Sequence, residues 1–130
     1  MSRANKWKGR TLLVCSMTLL GLALLPGGAA AHSRLTKSEP AAREVVDQAP
    51  KELKLWFNEA VEPAFAKVWI TPADGPEIPL TSRGDSADNR LLVVTMPDNV
   101  PPGPVTINYH VLSVDGHTVE DKLGFTVKPH

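Results

Sequence analysis

The sequence predicts an all-β domain, a Greek-key sandwich or barrel of the immunoglobulin-like kind. Two observations carry that expectation. Several short stretches alternate apolar and polar residues with a period of two, the signature of half-buried strands. Between them fall most of the 12 prolines and 9 glycines, at spacings that leave no room for a long helix.

The strands follow in order. Leu53-Lys54-Leu55-Trp56-Phe57 is the first and Ala66-Lys67-Val68-Trp69-Ile70 the second. A weak extra strand near Glu77–Leu80 precedes Leu91-Leu92-Val93-Val94-Thr95. The clearest runs from Val105 to Leu112, with Val105, Ile107, Tyr109 and Val111 on one face and Thr106, Asn108 and His110 on the other. The last runs from Lys122 to Val127. Pro72 to Pro76 and Pro97 to Asn99 are turns, since proline presets φ and Gly75 accepts positive φ. Arg83 to Asn89 is polar and reads as a surface loop. Ala41 to Val46, between Pro40 and Pro50, has room for one helical turn.

The first 31 residues read differently. Arg3, Lys6, Lys8 and Arg10 precede an apolar run from Leu12 to Leu25, and Ala29-Ala30-Ala31 closes the segment. A basic start, a short apolar middle and small residues at the end make a secretory signal peptide. The apolar run falls short of the roughly 20 residues that a membrane span needs. Cys15 lies inside that run behind Leu13 and Val14, which does not suit a lipoprotein site. Cleavage after Ala31 leaves one domain, residues 32–130, in the periplasm or another extracytoplasmic space. No membrane insertion is expected after cleavage.

Without the leader's four basic residues, the 14 basic and 14 acidic residues of the whole chain become 10 against 14. A mildly acidic domain is a poor match for nucleic acid and tolerates a cationic ligand. Cys15 is the single cysteine, so residues 32–130 have neither disulfides nor thiolate ligands. A metal there must be held by His, Asp, Glu, Met or the chain terminus.

Two places offer such donors. Signal cleavage makes His32 the amino terminus, where its α-amine and Nδ1 can close one chelate ring suited to tetragonal Cu(II). The other reading is a solvated, frayed terminus. After the strongest strand comes Ser113-Val114-Asp115-Gly116-His117. Asp115 and His117, two apart, project to one face of an extended backbone and would serve as metal ligands. The other reading is a strand-end turn with a solvated His.

Together these features resemble the CopC copper-binding proteins, the copper resistance protein C family. The matching residues are Ala31-His32-Ser33-Arg34-Leu35, then Ser38, Pro40 and Ala41, Ala49-Pro50, and Leu55 with Phe57-Asn58-Glu59-Ala60-Val61. They continue with Ile107, Tyr109, Val111, Ser113, Asp115-Gly116-His117 and Gly124-Phe125-Thr126-Val127. The resemblance implies an extracytoplasmic Cu(II) site in copper homeostasis, resistance or delivery. His32 would give its amine and one imidazole nitrogen, and His117 the opposing imidazole, as a brace across the ion. Asp115 would be an oxygen ligand or a hydrogen-bonding neighbour, and Glu59 a partner of the amine or of a water. The resemblance also implies a copper-transporting membrane protein, a separate polypeptide, as partner.

Departures from the family pattern sharpen the expectation. Some members carry a Met-rich Cu(I) segment, whereas residues 32–130 here contain only Met96, which reads as packing. Tyr109-His110 replaces the family's usual aromatic-Arg pair, and alternation makes His110 a strand-face residue. Trp56 and Trp69 read as core or sheet-face residues, and His130 as solvated. The domain is expected not to be an enzyme. The alternatives are a copper-dependent oxidative enzyme with an amino-terminal His brace, and a metal-free immunoglobulin-like interaction module.

Overall fold

The computed structural model describes residues 34–130. The leader and His32 therefore lie outside the described residues.

Eight strands form one curled sheet. They are β1 (Leu35–Glu39), β2 (Val45–Val46), β3 (Glu52–Phe57), β4 (Lys67–Thr71), β5 (Ile78–Gly84), β6 (Leu91–Thr95), β7 (Gly103–Leu112) and β8 (Thr118–Val127). Their spatial order is β1-β3-β6-β5-β4-β7-β8-β2. Strand β5 turns the corner between two leaves. Its first half pairs with β4 through Ile78, Pro79 and Leu80, and its second half pairs with β6 from Thr81 to Gly84. The connections β3–β4 and β6–β7 join strands that are not sheet neighbours. This is the expected all-β sandwich or half-closed barrel with Greek-key crossings.

Alternation built the core as expected. Leu53, Leu55 and Phe57 of β3 face Val105, Ile107, Tyr109 and Val111 of β7 across a shared interior with Leu123, Phe125 and Val127 of β8. Phe57 meets Tyr109 edge-on, with ring centroids 5.6 Å apart at 76°. Met96 is 4% exposed and packs within this cluster. Trp56 and Trp69 are half-buried on the outer faces, where Lys37 Nζ lies 4.5 Å from the Trp56 ring centre. His110 is paired on the outer face with Glu120, Nδ1 to Oε2 at 3.4 Å, and His130 is exposed.

Three local expectations need correction. No helical turn forms at Ala41–Val46. Val45 and Val46 instead pair in parallel with Thr126 and Val127. The N–H of Arg43 bonds the Gly124 carbonyl at 2.7 Å, and the Glu44 carbonyl accepts from Thr126. These backbone groups serve the sheet better than four residues of isolated helix could, because a single turn bears the full cost of nucleation. The expected loop at Arg83 begins later, because Arg83 pairs with Val93 and its guanidinium meets Glu52 at 3.1 Å. Strands β1 and the first half of β8 are additions, being polar segments recruited by apolar neighbours. The short 3-10 turn Pro63–Phe65 is the one helical element among the described residues.

Candidate metal site at one pole of the barrel

The antiparallel register brings four pieces of chain to the same pole: Arg34, the segment after β3, the β5–β6 loop and the β7–β8 hairpin. Backbone hydrogen bonds lock them together. The Asn58 N–H donates to the Arg34 carbonyl at 2.9 Å, and the Arg34 N–H donates to Asn58 Oδ1 at 2.5 Å. Val61 N–H reaches the Asn89 carbonyl at 3.1 Å, Val114 N–H the Ala60 carbonyl at 3.0 Å, and Glu62 N–H the Leu112 carbonyl at 2.8 Å. Ser113 also bridges Val61.

Within the hairpin, Asp115 and His117 do come together, although not by strand alternation. They sit in the turn itself. Ser113 N–H bonds the His117 carbonyl at 2.8 Å and Gly116 N–H bonds the Ser113 carbonyl at 3.0 Å. Gly116 has φ of 91°, a conformation that side chains resist. This tight turn points Asp115 back over its own backbone. The Ser113 hydroxyl, on a residue only 1% exposed, donates to Asp115 Oδ1. The His117 N–H approaches the same oxygen at 3.3 Å, and His117 Nδ1 lies 3.1 Å from Oδ2. The carboxyl is consequently held down to a pKa of about 2, first by the Ser113 hydroxyl and then by His117. It is a fixed anion beside an imidazole whose Nδ1 it orients.

Glu59 lies in the segment joined to this hairpin. Its side chain is half-buried, and Oε2 is buried without a hydrogen-bond partner. A buried carboxylate oxygen in that state is costly unless a donor or cation meets it. The pole thus offers one imidazole, one oriented carboxylate and one unsatisfied carboxylate oxygen. Among the described residues no group of three or more His, Cys, Asp or Glu stands close enough to hold a metal ion. Asp115 and His117 are therefore one part of any such site, and His32 lies outside the described residues.

Two contributors escaped sequence reading. Ser113 was visible as part of a motif, but its role as proton donor to Asp115 depends on the turn. Asn58, which ties Arg34 to the pole through both backbone and side chain, was visible only within the matching run Phe57-Asn58-Glu59-Ala60-Val61, with no role of its own.

Fold and pole together define a class, a small β-domain presenting nitrogen and oxygen donors at one end of a rigid barrel. Comparison with known proteins is consistent with that class and narrows it. The CopC domain model matches residues 35–128. Protein YobA of Escherichia coli K12 is 34% identical over 114 residues, 87% of this chain and 92% of that protein. Copper transport protein CutJ of Bacillus subtilis is 27% identical over 110 residues, 84% of this chain but 20% of CutJ. Among solved structures, CopC from Methylosinus trichosporium OB3b aligns with a TM-score of 0.67 at 36% identity, covering 76% of this chain and 96% of that one. PcoC from Escherichia coli, described as a methionine-rich copper resistance protein, aligns at 0.63 and 26% identity, covering 75% and 100%. The chain belongs to the CopC family.

Proposed function

We propose that the protein binds one Cu(II) ion outside the cytoplasm and carries or buffers it in copper resistance or delivery. The observation that supports this most directly is the Asp115–His117 pair at the same pole as Arg34, two residues after His32. Two residues reach about 7 Å at full extension. Arg34 is bonded to Asn58, Ala60 to Val114, and Val114 adjoins Asp115. That short reach from Arg34 supports the reading in which His32 and His117 share one ion.

The chemistry follows from the donors. After export and cleavage, His32 supplies its amine and Nδ1. His117, whose Nδ1 is held by Asp115, turns Nε2 to the ion. Asp115 then acts mainly by fixing and polarising that ring, as carboxylates beside metal-bound imidazoles do. The buried Glu59 oxygen accepts from the His32 amine or a water. Imidazole and amine donors in a tetragonal set favour Cu(II). Met96, enclosed in the core, is not available as a thioether ligand, which supports a single Cu(II) site without a Cu(I) site. The copper-related names of CutJ and PcoC support copper as the cargo. They also support a copper-transporting protein as partner and a carrier in preference to an enzyme.

The test is isothermal titration with Cu(II) on protein whose first residue is fixed by mass spectrometry. Protein starting at His32 should bind one equivalent, and His32→Ala and His117→Ala should each weaken it at least tenfold. Equal affinity for protein starting at Ala31 would refute the brace.

A further inference from the structure

Two of the four large apolar side chains that stand exposed among the described residues belong to the pole that carries Asp115 and His117. Phe65, on the Pro63–Phe65 turn, is 63% exposed, and Val114, beside Asp115 in the hairpin, is 59% exposed. Both are mounted rigidly. The Phe65 N–H bonds the Glu62 carbonyl at 3.1 Å, Glu62 is bonded to Leu112, and Val114 to Ala60. Pro63 packs against Gly84, so closely that a Cβ there would meet Pro63 Cγ at 2.6 Å. Holding a phenyl ring and an isopropyl group in water on stiff mounts contributes nothing to the core, whose residues all lie inside the barrel.

Charge on the same pole is one-sided. Glu59, Glu62, Asp85, Asp88 and Asp115 stand against Arg34 and Arg90, a surplus of three negative charges out of the four in residues 32–130. A bound Cu(II) ion would cancel most of it.

We propose that Phe65 and Val114, with the acidic residues around them, form the docking face for a copper-transporting protein that presents an apolar patch ringed by Lys and Arg. This rests on the copper-binding reading above and adds the surface and the partner's chemistry. Two arguments choose the occupant. A surplus of acid calls for a basic counterpart. In CutJ the stretch matching this chain makes up one-fifth of a copper transport protein. An exposed face of the domain is where the equivalent of the other four-fifths would meet it. Placing that surface around the ligands lets copper pass without release into solvent. The surplus also sets direction, since the metal-free face attracts a basic partner more strongly than the loaded one.

The experiment is site-specific photo-cross-linking in the cells that produce the protein. A benzophenone side chain is placed at 65, at 114, or at Asp98 between β6 and β7 at the opposite pole, and captured chains are identified by mass spectrometry. Positions 65 and 114 should capture the same copper-transporting membrane protein, and position 98 should not. Phe65→Ser should lower capture from 114 about tenfold, the effect of losing one apolar anchor. Glu62→Lys should lower it as well. Capture of a second copy of this chain, of no defined partner, or equally from position 98 overturns the proposal. So does unchanged or increased capture with Glu62→Lys. Copper titrations separate the two readings. Phe65→Ser and Val114→Ser should keep Cu(II) affinity within about twofold, whereas His117→Ala should lose affinity and keep capture. If His117→Ala binds copper normally while capture persists, the site assignment fails and the docking face stands.

Discussion

Replacing Ser113 with Ala tests the hairpin at its most specific point. The Ser113 hydroxyl is the largest cause of the low Asp115 pKa, about 2 against an ordinary 3.8. The His117 ring and its N–H remain in the variant, so only part of the depression should vanish. Asp115 should then titrate between those two values. The sign of the linkage is fixed. A carboxyl depressed in the folded state contributes stability that is complete above the unfolded pKa and disappears as pH falls through the folded one. Ser113→Ala should therefore cost stability in full above pH 3.8 and progressively less as pH falls, until the variant and the natural protein converge in acid below about pH 2. Carbon-detected NMR of the Asp115 carboxyl from pH 1.5 to 6 reads the titration directly. If His117 is a copper ligand as proposed, losing the hydroxyl behind its orienting carboxylate also loosens the ring and should weaken Cu(II) binding by about 10–100-fold, the worth of such partners of metal ligands. If Asp115 still titrates near 2 in the variant, the hydroxyl is not what holds it down.

Other perturbations read different parts of the molecule. Burial, and then the Asp121 carboxylate, push the Tyr109 phenol up to about 12. The stability it contributes is complete below pH 10 and fades toward pH 12, by something of order 2 kcal/mol; urea unfolding at pH 9 and 11.5 should show that loss in the natural protein and not in Tyr109→Phe. Gly84→Ala drives a methyl group into the ring of Pro63 and should cost about 1–3 kcal/mol in urea melts. Met96→Leu should cost under about 1.5 kcal/mol and leave both Cu(II) and competitive Cu(I) titrations unchanged, because the thioether is enclosed in the core.

How much was legible followed a physical line. Strand β7 was readable almost residue by residue, since Val105 to Val111 alternate on a sheet with one buried face. Strand β1, Leu-Thr-Lys-Ser-Glu, was not, because an edge strand takes its conformation from the neighbour it pairs with rather than from its own apolar content. Strand β2 was misjudged for the same reason. Its two valines are strand only by pairing with Thr126 and Val127, some eighty positions away. At the site, the residue types of the hairpin were visible but the cause of their meeting was not. Alternation would have aimed Asp115 and His117 outward in parallel, whereas the Gly116 turn folds one onto the other. The link from Arg34 to Asn58 needed β1, and β1 was the strand the sequence concealed.

In the proposed site, the division of donors between a terminus and a hairpin would make copper binding a measure of folding. An unfolded chain would keep the proposed His32 chelate, because amine and Nδ1 belong to one residue. What it would lose is His117, which the fold holds through hydrogen bonds between segments about fifty residues apart. Copper stabilises the fold only by the affinity that folding adds, since binding to the unfolded chain subtracts from the effect. At a free Cu(II) concentration of 100 times the folded dissociation constant the gain is at most about 2.7 kcal/mol. For a domain of this size that raises the melting temperature by on the order of 10 °C. His117→Ala should separate the two quantities. It should retain weak Cu(II) binding through His32 while losing the thermal shift measured by calorimetry with copper in excess. A variant that binds weakly yet is stabilised as strongly as the natural protein would mean that other folded-state donors hold the ion and that the hairpin is not part of the site.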